Sequence, residues 1–193
     1  MVPETRPRSP GGSGLAGLLC MGMLWLTVNA APAGGQLFVG VQGDWASGTR
    51  IGLGARASGD LSFLLRRLEI IGYGDRYFPG DTYGAEASAW EAGVALVYRL
   101  AAPEARLLPY AGIGISYSSF RVAVPLAETE ISGGESLWGV NLLAGLLLPG
   151  HPLVPFFEGR YTASDQSQMV ISAGVGVGIG SAWRGRENQE NTP

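Results

Sequence analysis

Met169-Val170-Ile171-Ser172-Ala173-Gly174-Val175-Gly176-Val177-Gly178-Ile179-Gly180 decides the fold. Its odd positions are all apolar, while its even positions after Val170 are serine or glycine. Successive side chains of a strand point to opposite faces, so this stretch makes a strand with one oily face and one small, tight face. A helix would scatter both sets around its circumference.

The same alternation recurs upstream. Strands are expected near 36–44, 49–58, 61–77, 83–100, 109–122, 136–148, 155–163 and 168–180, separated by turn residues, and no helical period of any length intervenes. Ile51, Leu53, Ala55 and Ala57 oppose Arg50, Gly52, Gly54, Arg56 and Ser58. Trp90, Ala92, Val94, Leu96, Tyr98 and Leu100 oppose Glu91, Gly93, Ala95, Val97 and Arg99. Ala111, Ile113, Ile115 and Tyr117 oppose Gly112, Gly114, Ser116 and Ser118. In the sixth segment Trp138, Val140, Leu142, Ala144, Leu146 and Leu148 oppose Gly139, Asn141, Leu143, Gly145 and Leu147.

Composition says where the oily faces look. Of 193 residues 31 are glycine and only 15% are charged, about ten points below a soluble domain. A surface so short of charge is suited to lipid. The net charge of −3 and the lack of a basic stripe remove the electrostatic basis for nucleic-acid binding. Arg6 and Arg8 precede an apolar run from Leu15 to Val28, with Ala30, Ala31 and Ala33 beyond it, the arrangement of a secretory leader cleaved after Ala30 or Ala33. The run spans roughly 14 residues, short of the about 20 that a membrane-crossing helix needs. A lipid anchor on Cys20 is disfavoured by the bulky Leu19 before it. Loss of the leader, residues 1–33, removes the only cysteine, leaving a barrel domain at 34–183 without disulfides and a polar tail at 184–193.

Trp90 and Tyr98 lie on one face of the fourth strand, about 26 Å apart along it. Tilted by about 40°, that distance projects to roughly 20 Å, close to the apolar band of a transmembrane barrel. Trp90, Tyr117, Trp138 and Tyr161 are then expected at the outer interface, with Tyr98 and Trp183 at the inner one. An open sheet leaves unpaired edges in lipid, so the sheet must close. Eight strands enclose an interior filled by side chains, with no porin-like channel. The expected fold is therefore all-β: a closed, eight-stranded, antiparallel up-and-down transmembrane barrel.

The chain resembles the small eight-stranded bacterial outer-membrane barrels of the OmpA/OmpX-like kind over residues 35–183. Pro109-Tyr110-Ala111-Gly112-Ile113-Gly114, Val140-Asn141-Leu142-Leu143-Ala144-Gly145 and Pro155-Phe156-Phe157-Glu158-Gly159-Arg160-Tyr161 carry the resemblance. It implies integral residence in the outer membrane, with lipid and lipopolysaccharide as surroundings. It also implies assembly by the outer-membrane insertion machinery, for which Ser172, Gly174, Val177 and Ile179 hold the polar, glycine and apolar positions of the terminal strand signal. The polar tail after Trp183 departs from barrels that end on an aromatic residue.

Arg56, Arg67, Glu69, Glu91, Arg99, Glu158 and Arg160 are expected to face the lumen and to pair there, because a lone charge in a narrow interior costs several kcal/mol. A salt-bridge plug follows. The alternative is a polar track through a narrow channel or transporter. A secreted soluble barrel binding an apolar ligand would need the opposite orientation, oily rows inward.

Catalysis has little to work with. The single histidine, His151, sits in the turn Pro149-Gly150-His151-Pro152, so neither a metal site nor a partner for Ser118, Ser119 or Ser164 is in view. Gly52-Leu53-Gly54-Ala55-Arg56-Ala57 mimics a dinucleotide fingerprint but opens no helix. No cofactor is expected. Outward loops are expected near 44–49, 74–84, 123–136 and 163–167. The third carries Glu128, Glu130 and Glu135, and Asp75, Arg76, Asp81 and Tyr83 form a mixed cluster on the second. The partner of these loops is open.

Overall fold

A computed structural model describes residues 37–179 apart from 48–49, 79–85, 103–104, 127–128 and 150–152. The leader, Trp183, the polar tail, His151, Asp81, Tyr83 and Glu128 lie outside the described residues. Among the described residues eight strands follow one another: β1 (Leu37–Ala46), β2 (Arg50–Asp60), β3 (Leu68–Phe78), β4 (Glu86–Arg99), β5 (Leu108–Leu126), β6 (Thr129–Leu147), β7 (Val154–Ala163) and β8 (Gln168–Ile179). Each pairs antiparallel with its sequence neighbours, and β8 pairs with β1 to close the barrel.

The register fixes the shape. Cross-strand partners traced once around lead from Leu147 through Phe156, Gly174, Gln42, Gly54, Asp75, Glu91 and Ser118 back to β6 at Leu137, ten residues from the start. With eight strands that stagger tilts them by about 40° and gives a backbone radius of roughly 8 Å. So narrow a tube is filled by its own side chains.

The oily rows look outward. Ile113 is 55% exposed, whereas Glu91 and Arg99 are 3% and 8% exposed. Val41, Leu53, Leu96, Val140 and Ile171 are likewise exposed, and this belt runs around the whole barrel. Phe38, Ile71, Val97, Leu108, Tyr110, Val154 and Phe156 form an apolar cluster inside the end where the described chain starts and finishes. A smaller cluster of Ala46, Tyr77, Ala89 and Val170 lines the opposite mouth.

Two expected boundaries differ. The third strand starts at Leu68, not near 61, because Asp60 captures the segment beyond β2: its carboxylate accepts from the Ser62 amide at 2.7 Å and from the Ser62 hydroxyl at 2.9 Å. Residues 61–67 form a turn closed by Leu61 N to Leu68 O at 2.9 Å, and Arg67 takes a φ of 70° at its end. The stretch 123–136, expected as a loop, is mostly strand. β5 and β6 continue to a ladder ending at Leu126 and Thr129, whereas β7 pairs with β6 only from Val140 onward. The hairpin therefore projects past the barrel, with residues 129–139 of β6 paired on one side alone.

Glycines line the inside where strands and rings crowd. A β-carbon at Gly114 would run into the Val94 carbonyl and the Ala95 side chain, and one at Gly176 into Phe38. Outward-facing Gly72 meets nothing within 4 Å. The small inner face is thus a consequence of tube radius.

Candidate functional site: the lumen and its outer mouth

Among the described residues, strand geometry gathers ionisable groups in the lumen. β1 contributes Gln42 and Asp44, β2 Arg56, β3 Glu69, Tyr73, Asp75 and Tyr77, β4 Glu91 and Arg99, β7 Glu158 and Arg160, and all are buried. Period-two alternation delivers them, since each lies on the face opposite its strand's oily row.

Arg160 is the hub. Its Nη2 donates to Asp75 Oδ2 at 2.6 Å and lies 3.6 Å from Glu91 Oε2, while its Nη1 is 3.8 Å from Glu158 Oε1. Its guanidinium sits 3.9 Å from the centre of the Tyr73 ring, close enough for cation–π attraction. Tyr73 in turn donates to Glu91 at 3.3 Å and accepts from Asn141 Nδ2 at 2.5 Å. Gln42 bridges two carboxylates, donating to Asp44 at 3.0 Å and to Asp75 at 2.9 Å, and Ser172 donates to Asp44 at 2.5 Å.

Glu158 links this layer to the next. Its Oε2 accepts from Arg56 Nη1 at 3.0 Å and from the Tyr110 hydroxyl at 2.8 Å. Arg56 lies against the rings of Phe156, Tyr110 and Phe38, with the first only 4.5 Å away. Near the chain-terminal end Arg99 pairs with Glu69. Polar contacts run between the two upper layers, and the apolar cluster closes the tube beside the lowest pair.

Of the seven expected lumen charges, Arg56, Glu69, Glu91, Arg99, Glu158 and Arg160 are in this assembly. Arg67 is not: it ends the turn before β3, and the expectation of a lumen position fails because the strand begins only after it. Asp75, expected in an outer loop, and Asp44, at the expected junction of the first strand and its loop, both point into the tube. The sequence signal for both is their parity. Asp44 continues the series of Phe38, Gly40 and Gln42 while Trp45 takes the oily side, and Asp75 shares parity with Glu69 and Tyr73. Among the described residues five buried carboxylates thus face three guanidiniums, so the lumen is acidic rather than evenly paired.

On the exterior, Trp90, Tyr117 and Trp138 stack across three adjacent strands with ring centres 5.4 and 5.1 Å apart. Tyr161 is exposed near the same end, and Tyr98 near the other. Trp45 and Phe78 stand in the outer ring too, and Phe157 in the inner, all exposed. Above the plug a cavity of about 190 Å³ opens between Arg50, Phe120, Ser119, Thr162 and Gln166, with Tyr77 and Glu91 at its floor. Arg50 lies over the Phe120 ring at 5.4 Å. Ser119 accepts from Ser136 at 3.4 Å, and Glu135 accepts from Gln166 at 3.1 Å. Among the described residues no cluster of acids, histidine or cysteine has the arrangement of a metal site.

No family model matches the chain, and no curated protein does. Solved structures do. The N-terminal β-barrel domain of Pseudomonas aeruginosa OprF is 14% identical and aligns over 75% of this chain and 97% of that one, with a TM-score of 0.57. A major outer-membrane protein from Thermus thermophilus is 12% identical, over 75% of this chain and 99% of that one, with a TM-score of 0.56. Ail, the attachment invasion locus protein of Yersinia pestis, is 14% identical, over 77% of this chain and 100% of that one, with a TM-score of 0.53. At such identities the likeness is one of fold.

Proposed function

We propose that this chain, which has the fold of the eight-stranded bacterial outer-membrane barrels, is an integral outer-membrane protein of structural or surface-interaction role, without catalysis. Its lumen is a plug, and its working surface is the outer mouth with the projecting β5–β6 hairpin. The observation that carries the reading is the continuity of the Arg160–Glu158–Arg56 layers across the tube, flanked by the apolar cluster. A belt of exposed apolar residues around the outside supports lipid as the surrounding medium, because a large contiguous apolar surface marks an interface.

The projecting hairpin supports the surface role. Residues 129–139 of β6 pair with β5 but not with β7, which leaves one backbone edge free. Ail shares the fold and is described as an attachment invasion locus protein.

Planar-bilayer recording tests the plug. Purified protein is expected to show no steady conductance, and Arg160→Met to introduce flickering openings by loosening the hub. Steady openings in the unaltered protein that vanish with Glu91→Gln would establish a channel instead.

A further inference from the structure

The β2–β3 turn carries an arrangement that the barrel itself does not use. Phe63, Leu64 and Leu65 are consecutive and 64%, 67% and 55% exposed. They cannot retreat. Leu64 N and Leu65 N donate to Leu61 O at 2.9 and 3.3 Å, Leu68 N donates to Leu65 O at 3.0 Å, and Asp60 anchors Ser62 from below. The lumen beside them is already filled by Ile71, Val97, Leu108 and Val154. An ordered turn thus displays three large apolar side chains at the end of the barrel where the described chain begins and ends.

Two observations identify what covers them. Leu100, Leu107 and Leu153 are exposed at the same rim, in the β4–β5 and β6–β7 connections, so the apolar surface continues there from the exterior belt. Arg66 and Arg106 are exposed beside these residues. Apolar side chains flanked by arginines match the boundary between acyl chains and phosphate headgroups, where the former bury and the latter pair with anions.

We infer that the 61–67 turn is a membrane foot: Phe63, Leu64 and Leu65 bed in the phospholipid leaflet at this rim, and Arg66 and Arg106 engage its anionic headgroups. This rests on the outer-membrane reading above. The foot holds the barrel at a fixed depth, because the turn and the outer ring of Trp90, Tyr117 and Trp138 grip opposite faces of the bilayer.

Spin-label collision measurements separate the two layers of the proposal. The full chain carrying Cys20→Ser is labelled at Leu64→Cys, at Leu53→Cys on the exterior belt and at Gln166→Cys in the outer β7–β8 turn. Each variant is refolded into phosphatidylcholine vesicles with or without phosphatidylglycerol. The label at 64 is expected to collide severalfold more with oxygen than with a water-soluble nickel complex, as at 53 and opposite to 166. Phosphatidylglycerol is expected to deepen it, and Arg66→Gln with Arg106→Gln to abolish the deepening. Should Leu64→Cys fail to fold, Phe63→Cys carries the same expectation.

A water-like label at 64 beside a lipid-like label at 53 overturns the foot while leaving the barrel in its membrane. Water-like labels at both overturn the membrane reading itself. A lipid-like label at 64 that ignores both phosphatidylglycerol and the arginine substitutions overturns the headgroup contact.

Discussion

Arg160 has no exposed side-chain surface and is surrounded by Asp75, Glu91, Glu158 and the Tyr73 ring. Removing one partner of a buried ion pair leaves the others desolvated and unpaired, which costs about 3–5 kcal/mol. Arg160→Met is therefore expected to lower the urea midpoint of the folded, unheated gel band sharply. Adding Asp75→Asn and Glu91→Gln should recover much of the loss, because the orphaned charges disappear with their partner. Arg76→Met, on the exterior beside Phe78, should move the midpoint little. An equal loss from Arg160→Met and Arg76→Met would mean that the lumen cluster is not a structural hub. Sequence parity alone makes most of this cluster legible: Arg56, Glu91, Arg99, Glu158 and Arg160 follow from alternation within their strands. What parity cannot supply is the reach of long side chains between layers. That Glu158 joins Arg56 to Arg160, or that Tyr110 sits between Arg56 and Glu158, depends on the stagger of the closed sheet.

At the level of single elements, a strand's interior reads well and its ends read poorly. β8 shows its faces plainly, since apolar residues alternate with serine and glycine from Ile171 to Ile179, and β4 nearly so, with Val97 the large apolar residue on its inner face. β3 does not begin where its apolar residues do. Leu61, Phe63, Leu64 and Leu65 look strand-like, but the Asp60 side chain satisfies the Ser62 amide locally and so competes with ladder bonding. The hairpin of β5 and β6 is obscured for the opposite reason: serines, glycines and glutamates read as loop, yet cross-strand backbone bonds need no apolar face. Its two halves should differ in protection. Over Leu142–Leu147 β6 has a partner strand on each side, so its amides find acceptors in either direction, while residues 129–139 pair only with β5. Hydrogen exchange is expected to be markedly faster over 129–139 than over 142–147. Uniform slow exchange along the whole of β6 would show that something else covers its free edge.

For the whole molecule, closure is the physical constraint from which the rest follows. Eight tilted strands leave a radius of roughly 8 Å, so inner positions must be glycine, serine, or side chains that pack and pair. The oily rows, excluded from that space, face outward and require lipid. The leader, Trp183 and the tail belong to parts of the chain beyond the described residues, and their roles, like the assembly signal assigned to Ser172, Gly174, Val177 and Ile179, stand as proposals with the surface partner. The orientation itself is legible in the alternation and the low charge. An isolated strand has no inside, however, and only the register that returns β8 to β1 gives it one. Methyl NMR in nanodiscs with protonated acyl chains reads the orientation directly along β4. The account predicts contacts from lipid chains to the methyls of Val94 and Leu96, and none to those of Ala95 and Val97. Lipid contacts at Ala95 and Val97, with Val94 and Leu96 silent, would contradict it.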